Sequence, residues 1–294
     1  MPPTPRRVLC YSSCVRLAPS LLVIGFVCCS WSSWSCTAVT GGDPHSSNGI
    51  PPANGRDKKI RELGDPSIDG HAEIVGTAQP VSGAIVTAVD NFDETQNGKG
   101  TGTIYVQDID ATKDTPYAGV SLFAPTFNPG NLAVNVGDVL DLRGNYTENT
   151  QIPSKPPVIF APGAILPQLS QPLGTFRYET TPAKPIDIDI NDLTDFAKGR
   201  RWMGMLVRVQ NLTVTDKPYL SNGRESVSVT PLPQNAQTNC DAPFPKVATI
   251  VNDLTPLTVL IAKQKGETIK SIVGVVGFFC SIKIAPRSAA DIQL

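Results

Sequence analysis

The feature that most constrains the fold is a succession of short β-branched runs, closed by turn-forming residues, that occurs twice in the same order. In the first half the runs are VSGAIVTAVD (81–90), GTIYVQD (102–108), VSLFAP (120–125) and VGDVLDLRGNY (136–146). Runs of this kind, bounded by Gly, Asn, Asp or Pro, are strands. A fifth strand falls in IFAPGAILPQL (159–169), where prolines, lacking an N–H for the ladder, confine it to a sheet edge. In the second half GMLVRVQNLTVTD (204–216) stands for the first run, ESVSVTP (225–231) for the second, GETIKSIVGVVG (266–277) for the fourth and SIKIAPR (281–287) for the last. The matched blocks are offset by roughly 120–130 residues, about one small domain and far beyond a solenoid repeat.

Composition agrees with a turn-rich β protein: 27 Pro and 24 Gly, with only 17% charged and 6% aromatic residues. Five short strands with a Gly-Asp turn before the fourth fit a small closed barrel. Residues 37–72 are rich in Gly, Pro, Ser, Asn and charge, with too few apolar side chains to offset ordering entropy, and read as a flexible tether. Within it, Lys58 to Leu63 reads as a helical turn or an added strand. Between the halves, PAKPIDIDINDLTDF alternates strictly from Ile186 to Ile190, and Asn191 to Lys198 reads as one capped helical turn. The expected organisation is a leader (1–36), the tether (37–72), a first barrel (73–172), and a linker with a second barrel (173–294).

The strand runs, with PYAGVSLF and the terminal IAPRSAADI, make residues 73–294 resemble the tandem OB-fold modules of secreted bacterial proteins. Such modules accompany extracellular nucleases or stand in envelope lipoproteins. The resemblance implies an all-β fold of two tandem OB-like five-stranded barrels. It implies no nuclease activity, because no nuclease domain accompanies the modules.

The N-terminus carries Arg6, Arg7 and Arg16, then the apolar block LAPSLLVIGFVCC (17–29). A basic region followed by a short apolar core is a secretory signal, with a retained anchor helix as the competing reading. Cys36, preceded by the small Ser35, is the candidate for lipid acylation, although Trp34 and Ser33 depart from the usual lipobox. The leader holds three of the 25 basic residues and none of the 26 acidic ones, which leaves the body at a formal −4. Such a body offers polyanions no general attraction.

Chemistry-bearing residues are few. The two histidines, His45 and His71, both fall in the tether, so His-dependent hydrolysis lacks its main reagent. Asp108, Asp110 and Asp114 read either as a calcium loop, with oxygen ligands at alternating positions, or as a solvated turn. No other cofactor is indicated. Along GTIYVQD, Ile104 and Val106 point into the barrel while Tyr105 and Gln107 face outward. There Tyr105 reads as a stacking platform with Gln107 as its polar partner, or else as cover for the barrel wall while Asp108 caps the turn. Arg200, Arg201 and Trp202 read as a phosphate-and-base contact or as packing with solvated charges. Cys240 and Cys280 are the only cysteines of the exported body and are expected to pair in an oxidising compartment.

The expected function is that of a non-enzymatic exported envelope protein, a binding or scaffold module with an extracellular or envelope partner. Its membrane contact would run only through the lipid anchor or the signal segment. Competing readings are a single-stranded nucleic-acid-binding accessory to an extracellular nuclease and a calcium-dependent carbohydrate binder.

Overall fold

The computed structural model describes residues 57–93, 98, 102–130, 133–152, 156–229 and 248–294. The strands of the first half are β1 (Ala78–Val89), β2 (Ile104–Asp108), β3 (Gly119–Phe123), β4 (Thr126–Asn128), β5 (Asp138–Asn149), β6 (Gln151–Ile152), β7 (Val158–Ile159) and β8 (Leu166–Thr180). Those of the second half are β9 (Ile186–Asp187), β10 (Leu206–Thr213), β11 (Tyr219–Ser221), β12 (Arg224–Val229), β13 (Ala248–Val251), β14 (Thr268–Phe279), β15 (Ser281–Ala285) and β16 (Ile292–Gln293). Among the described residues there are also four single-turn α-helices: α1 (Arg61–Gly64), α2 (His71–Ile74), α3 (Phe196–Gly199) and α4 (Thr258–Ile261). The chain is mostly β, as its alternating runs require.

The first sheet runs β3-β2-β1-β5-β8-β4, and a parallel pairing of β3 with β8 closes the first five into a ring. β1, twelve residues long, pairs with β2 on one side and β5 on the other. β1 bends at a register irregularity between Val81 and Ala84, where Gly83 takes φ +70°. Buried Asp141 holds the bend, accepting from Gly83 N at 3.0 Å, Ser82 Oγ at 3.1 Å and Arg177 Nε at 2.8 Å. The second sheet runs β11-β12-β13-β15-β14-β10-β9, with β16 on β14. It mirrors the first in its parallel β13–β15 and antiparallel β10–β14 and β14–β15 pairs. Its two limbs meet through the bridge between Val214 and Val229.

Each sheet packs against its own apolar core. Val86, Val106, Leu140, Leu142 and Leu169 fill the first; Val207, Val209, Ile250, Ile272 and Ile284 fill the second. In the part of the expected tether that the structure describes, from residue 57 on, Ile60 and Leu63 are packed, each 1% exposed and part of the first core, whereas residues 66–70 are exposed. Of the two readings of that stretch the helical turn holds, as α1; the added strand is reduced to an isolated bridge between Lys58 and Val81. The linker strand is shorter than its alternation, because β9 ends at Asp187. Asp189 and Asp195 then cap a 3-10 turn and α3, each accepting from a backbone N–H. All described residues belong to one compact unit.

Candidate binding cleft between the two sheets

The alternation of β2 settles where its outward residues go. Ile104 and Val106 enter the first core, while Tyr105 packs beside a small junction cluster of Ala88, Leu206 and Val275. Gln107 is 2% exposed, and its Oε1 accepts from the backbone N of Leu206 at 2.9 Å. The second sheet therefore stands on the outward face of β2. The approach is close because two glycines meet there: a Cβ on Gly119 would lie 2.5 Å from Gly204 C and from Met205 N. Tyr117 N also donates to Arg201 O at 2.7 Å.

Asp108 is fully buried and accepts from Ile60 N at 2.7 Å and Arg61 N at 3.3 Å, tying the start of α1 to the end of β2. Burial pushes its carboxyl up to about 6, against the pull of those two N–H groups and of the Arg61 and Lys59 charges. Asp110 forms a two-pronged pair with Arg61 at 3.0 and 3.1 Å, which holds its carboxyl below the usual range. Asp114 lies in the loop beyond, where its backbone N donates to Thr112 Oγ1 at 3.3 Å. Among the described residues no group of three or more His, Cys, Asp or Glu side chains is placed to hold a metal ion.

The basic cluster divides. Arg200 pairs with Glu148 of β5 and donates to Gly64 O at 3.4 Å. Glu148 also accepts from His71 Nε2 at 2.9 Å and Tyr146 Oη at 3.2 Å. This knot fastens α1, α2, β5 and the entry to the second sheet. Trp202 is 5% exposed and its indole N–H donates to Asp192 at 3.0 Å, with the Arg201 guanidinium 5.5 Å from its ring centre. Cys36 and Cys240 lie outside the described residues; Cys280, buried, occupies the turn between β14 and β15 at φ +61°. Among the described residues no helix is long and apolar enough to cross a membrane.

Beside the junction the two sheets diverge and leave a cleft of about 540 Å³. That size falls within the range of small-ligand sites. Its first wall comes from β3, β5 and β8, with Phe123, Asn149 and Gln168; the second comes from β14 and β15, with Phe278, Phe279 and Lys283. Tyr105 lines it near the junction. Burial, with the neighbouring Asp253 and Asp90 carboxylates, pushes the Tyr105 phenol well above its ordinary value, so it stays neutral. Phe123 and Phe279 remain 52% and 41% exposed. Lys283 pairs with Asp253 at 2.6 Å and lies 5.6 Å from the centre of the Phe279 ring.

Of the cleft residues, only Tyr105 stood out in the sequence. The others come from strands of both halves, and nothing in a strand pattern says which sheet faces meet. The structure itself shows a shared placement: Phe123 and Phe279 each end a strand directly before a left-handed residue, Ala124 (φ +49°) and Cys280 (φ +61°), which neither residue type announces. An aromatic held at such a corner is turned out of its own core.

No protein-family model matches the chain, and no curated protein matches it in sequence.

Proposed function

We propose that this chain is a non-enzymatic binding protein of the cell envelope, built of two OB-like barrels fastened into one body, whose ligand enters the cleft between them. The observation that carries this reading is the cleft itself: an aromatic-walled recess beside a junction that occupies the outward face of β2. The strand orders support the barrel reading. Five of the six strands of the first sheet form a ring, and the second sheet repeats their pairings with a single bridge in place of the first-to-second strand ladder. Export with a lipid on Cys36 and a Cys240–Cys280 disulfide complete the proposal. The disulfide is supported by Cys280, which is buried and engaged rather than a free thiol.

Gly277 gives a clean test. A Cβ there would meet nothing closer than 3.9 Å, with Tyr105 Oη and Lys283 among its neighbours, so a β-carbon is accommodated without displacing backbone. Gly277→Phe plugs the cleft from the β14 wall. Thermal unfolding of the full-length protein is measured with single-stranded oligonucleotides, short peptides and soluble oligosaccharides. A ligand of one class should raise the midpoint of the wild type and leave Gly277→Phe unmoved. A rise that persists in the plugged variant, or none in any class, would overturn the cleft as the seat. For the anchor, Cys36→Ala should move the protein from a detergent-released membrane fraction into buffer. Retention in the membrane would rule out acylation of Cys36 as the anchor.

A further inference from the structure

The chemistry of the cleft lining selects among ligand classes, given the cleft as the ligand seat. Four charged residues line it, two of each sign: Asp90, Asp253, Arg224 and Lys283. Asp253 and Lys283 neutralise each other, and Asp90 and Arg224 each hold interactions of their own. A polyanion finds balanced and engaged charge here, not the basic track that single-stranded nucleic acid requires. A peptide added as an extra strand needs an open sheet edge. The long strands that line the cleft are paired on both sides, β3 between β2 and β8 and β14 between β10 and β15; β6, paired with β7 alone, keeps an edge of only two residues, too short to take an added strand.

What remains is neutral, and it both donates and accepts. On neighbouring strands of the first wall, Asn149 Nδ2 donates to Gln168 Oε1 at 2.9 Å and to Thr147 Oγ1 at 3.3 Å. Those two bonds use both amide hydrogens of Asn149 and fix the orientation of both amides. Asn149 Oδ1 is left as an acceptor and Gln168 Nε2 as a donor, on two amides bonded to each other before any ligand arrives. Ser121 and Ser170 add hydroxyls to the same wall. Across the cleft's two walls stand the half-exposed rings of Phe123 and Phe279.

Adjacent hydroxyls of a sugar ring each donate and accept, and the C–H face of the ring is apolar enough to lie on an aromatic side chain. We infer that the cleft binds an uncharged oligosaccharide, with sugar rings against Phe123 and Phe279 and ring hydroxyls on the Asn149–Gln168 amide pair. No metal takes part in this recognition. It therefore differs from a calcium-dependent lectin, whose cation would hold the hydroxyls directly.

The experiment is ligand-observed NMR on the full-length protein, with titration calorimetry. The probes are uncharged hexasaccharides of β-1,4-glucose, α-1,4-glucose, mannose and N-acetylglucosamine at millimolar concentration. At least one should bind, unaffected by a calcium chelator. Phe123→Ala, Phe279→Ala and Gln168→Ala should each weaken it about tenfold, the effect of removing one stacking or hydrogen-bonding interaction. All three positions are half-buried or exposed, and an unchanged unfolding midpoint shows that the variants fold. Gly277→Phe should abolish binding. If an oligonucleotide or peptide gives the plug-sensitive signal instead, the sugar assignment is wrong while the cleft stands. Binding to none of the hexasaccharides, or binding untouched by the Phe and Gln substitutions, also overturns the assignment.

Discussion

Gln107 and Asp108 are neighbours at the end of one strand, and they serve opposite flanks of it. The side chain of Gln107 reaches the second sheet, whereas Asp108 reaches back to α1. Both are buried polar groups, tolerable because each has its partner; removing such a partner costs about 1–3 kcal/mol. Asp108 also gives stability a pH dependence with a definite sign. Its folded pKa of about 6 lies above its unfolded value of about 4, so the native chain holds the proton more tightly. The contribution of Asp108 is therefore greatest in acid and is lost as pH rises from about 4 through about 6. Asp108→Asn removes this titration while keeping an acceptor for the Ile60 N–H. Denaturant unfolding of both proteins at about pH 4 and about pH 7 should show the wild type losing on the order of 2 kcal/mol relative to the variant over that interval. The opposite slope would mean that the two N–H groups and Arg61 outweigh burial.

Among the elements, strands with unbroken β-branched runs were legible, and the ones that depend on a partner's shape were not. β1, β2, β3, β5, β10, β12, β14 and β15 fall on the runs that predict them. β8 does not: it was expected within 159–169, confined to a sheet edge by its prolines, but it spans Leu166–Thr180 with Pro167 and Pro172 inside and lies between β5 and β4. The partner strand explains how. Opposite Pro172 stands Gly144, where a Cβ would lie 2.8 Å from the proline ring, and the register shifts there while Gln171 takes φ +49°. A glycine on another strand makes room for the proline, and no local pattern reports that. Phe160, expected in the same fifth strand, instead packs edge-on against Phe278 of the second core, with ring centres 4.8 Å apart. The Gly119–Gly204 contact follows the same logic and can be measured. Gly119→Ala puts a methyl against the opposing backbone, and the sheets must separate by about an ångström because close-packed interiors do not yield elsewhere. The expected loss is about 1–3 kcal/mol in denaturant unfolding. Gly130→Ala, whose Cβ would meet only Phe127 O at 3.5 Å, is the control. Equal losses would show that the junction is not tightly packed at this point.

At the scale of the whole molecule, the two cores are joined by shared residues rather than by a hinge. Ala118, Phe160, Ala161 and Ala164, all from the first half of the chain, are buried in the second core. Arg200 and Arg287 reach from the second half to Gly64 O and Thr87 O of the first. A perturbation in either half should therefore be felt by both, which changes what a Cys240–Cys280 bond does. Closing a loop of about 40 residues restricts the unfolded chain by roughly 3–4 kcal/mol in the chain-entropy model, a large share of an ordinary domain's stability. Were the halves independent, reduction would lower the unfolding midpoint of the second alone and split the transition. With the cores interlocked, we expect one transition that moves as a unit, both on reduction and in Cys240→Ser. Its position should be read from Trp202 fluorescence in the second half and from hydrogen exchange of the β1 and β5 amides in the first. Mass spectrometry of non-reduced peptides checks the bond itself, and free thiols at both positions in protein recovered from the envelope would refute it. If the bond is present but only the Trp202 signal shifts on reduction, the interlocking fails instead, because the first sheet would then be holding its structure without the second.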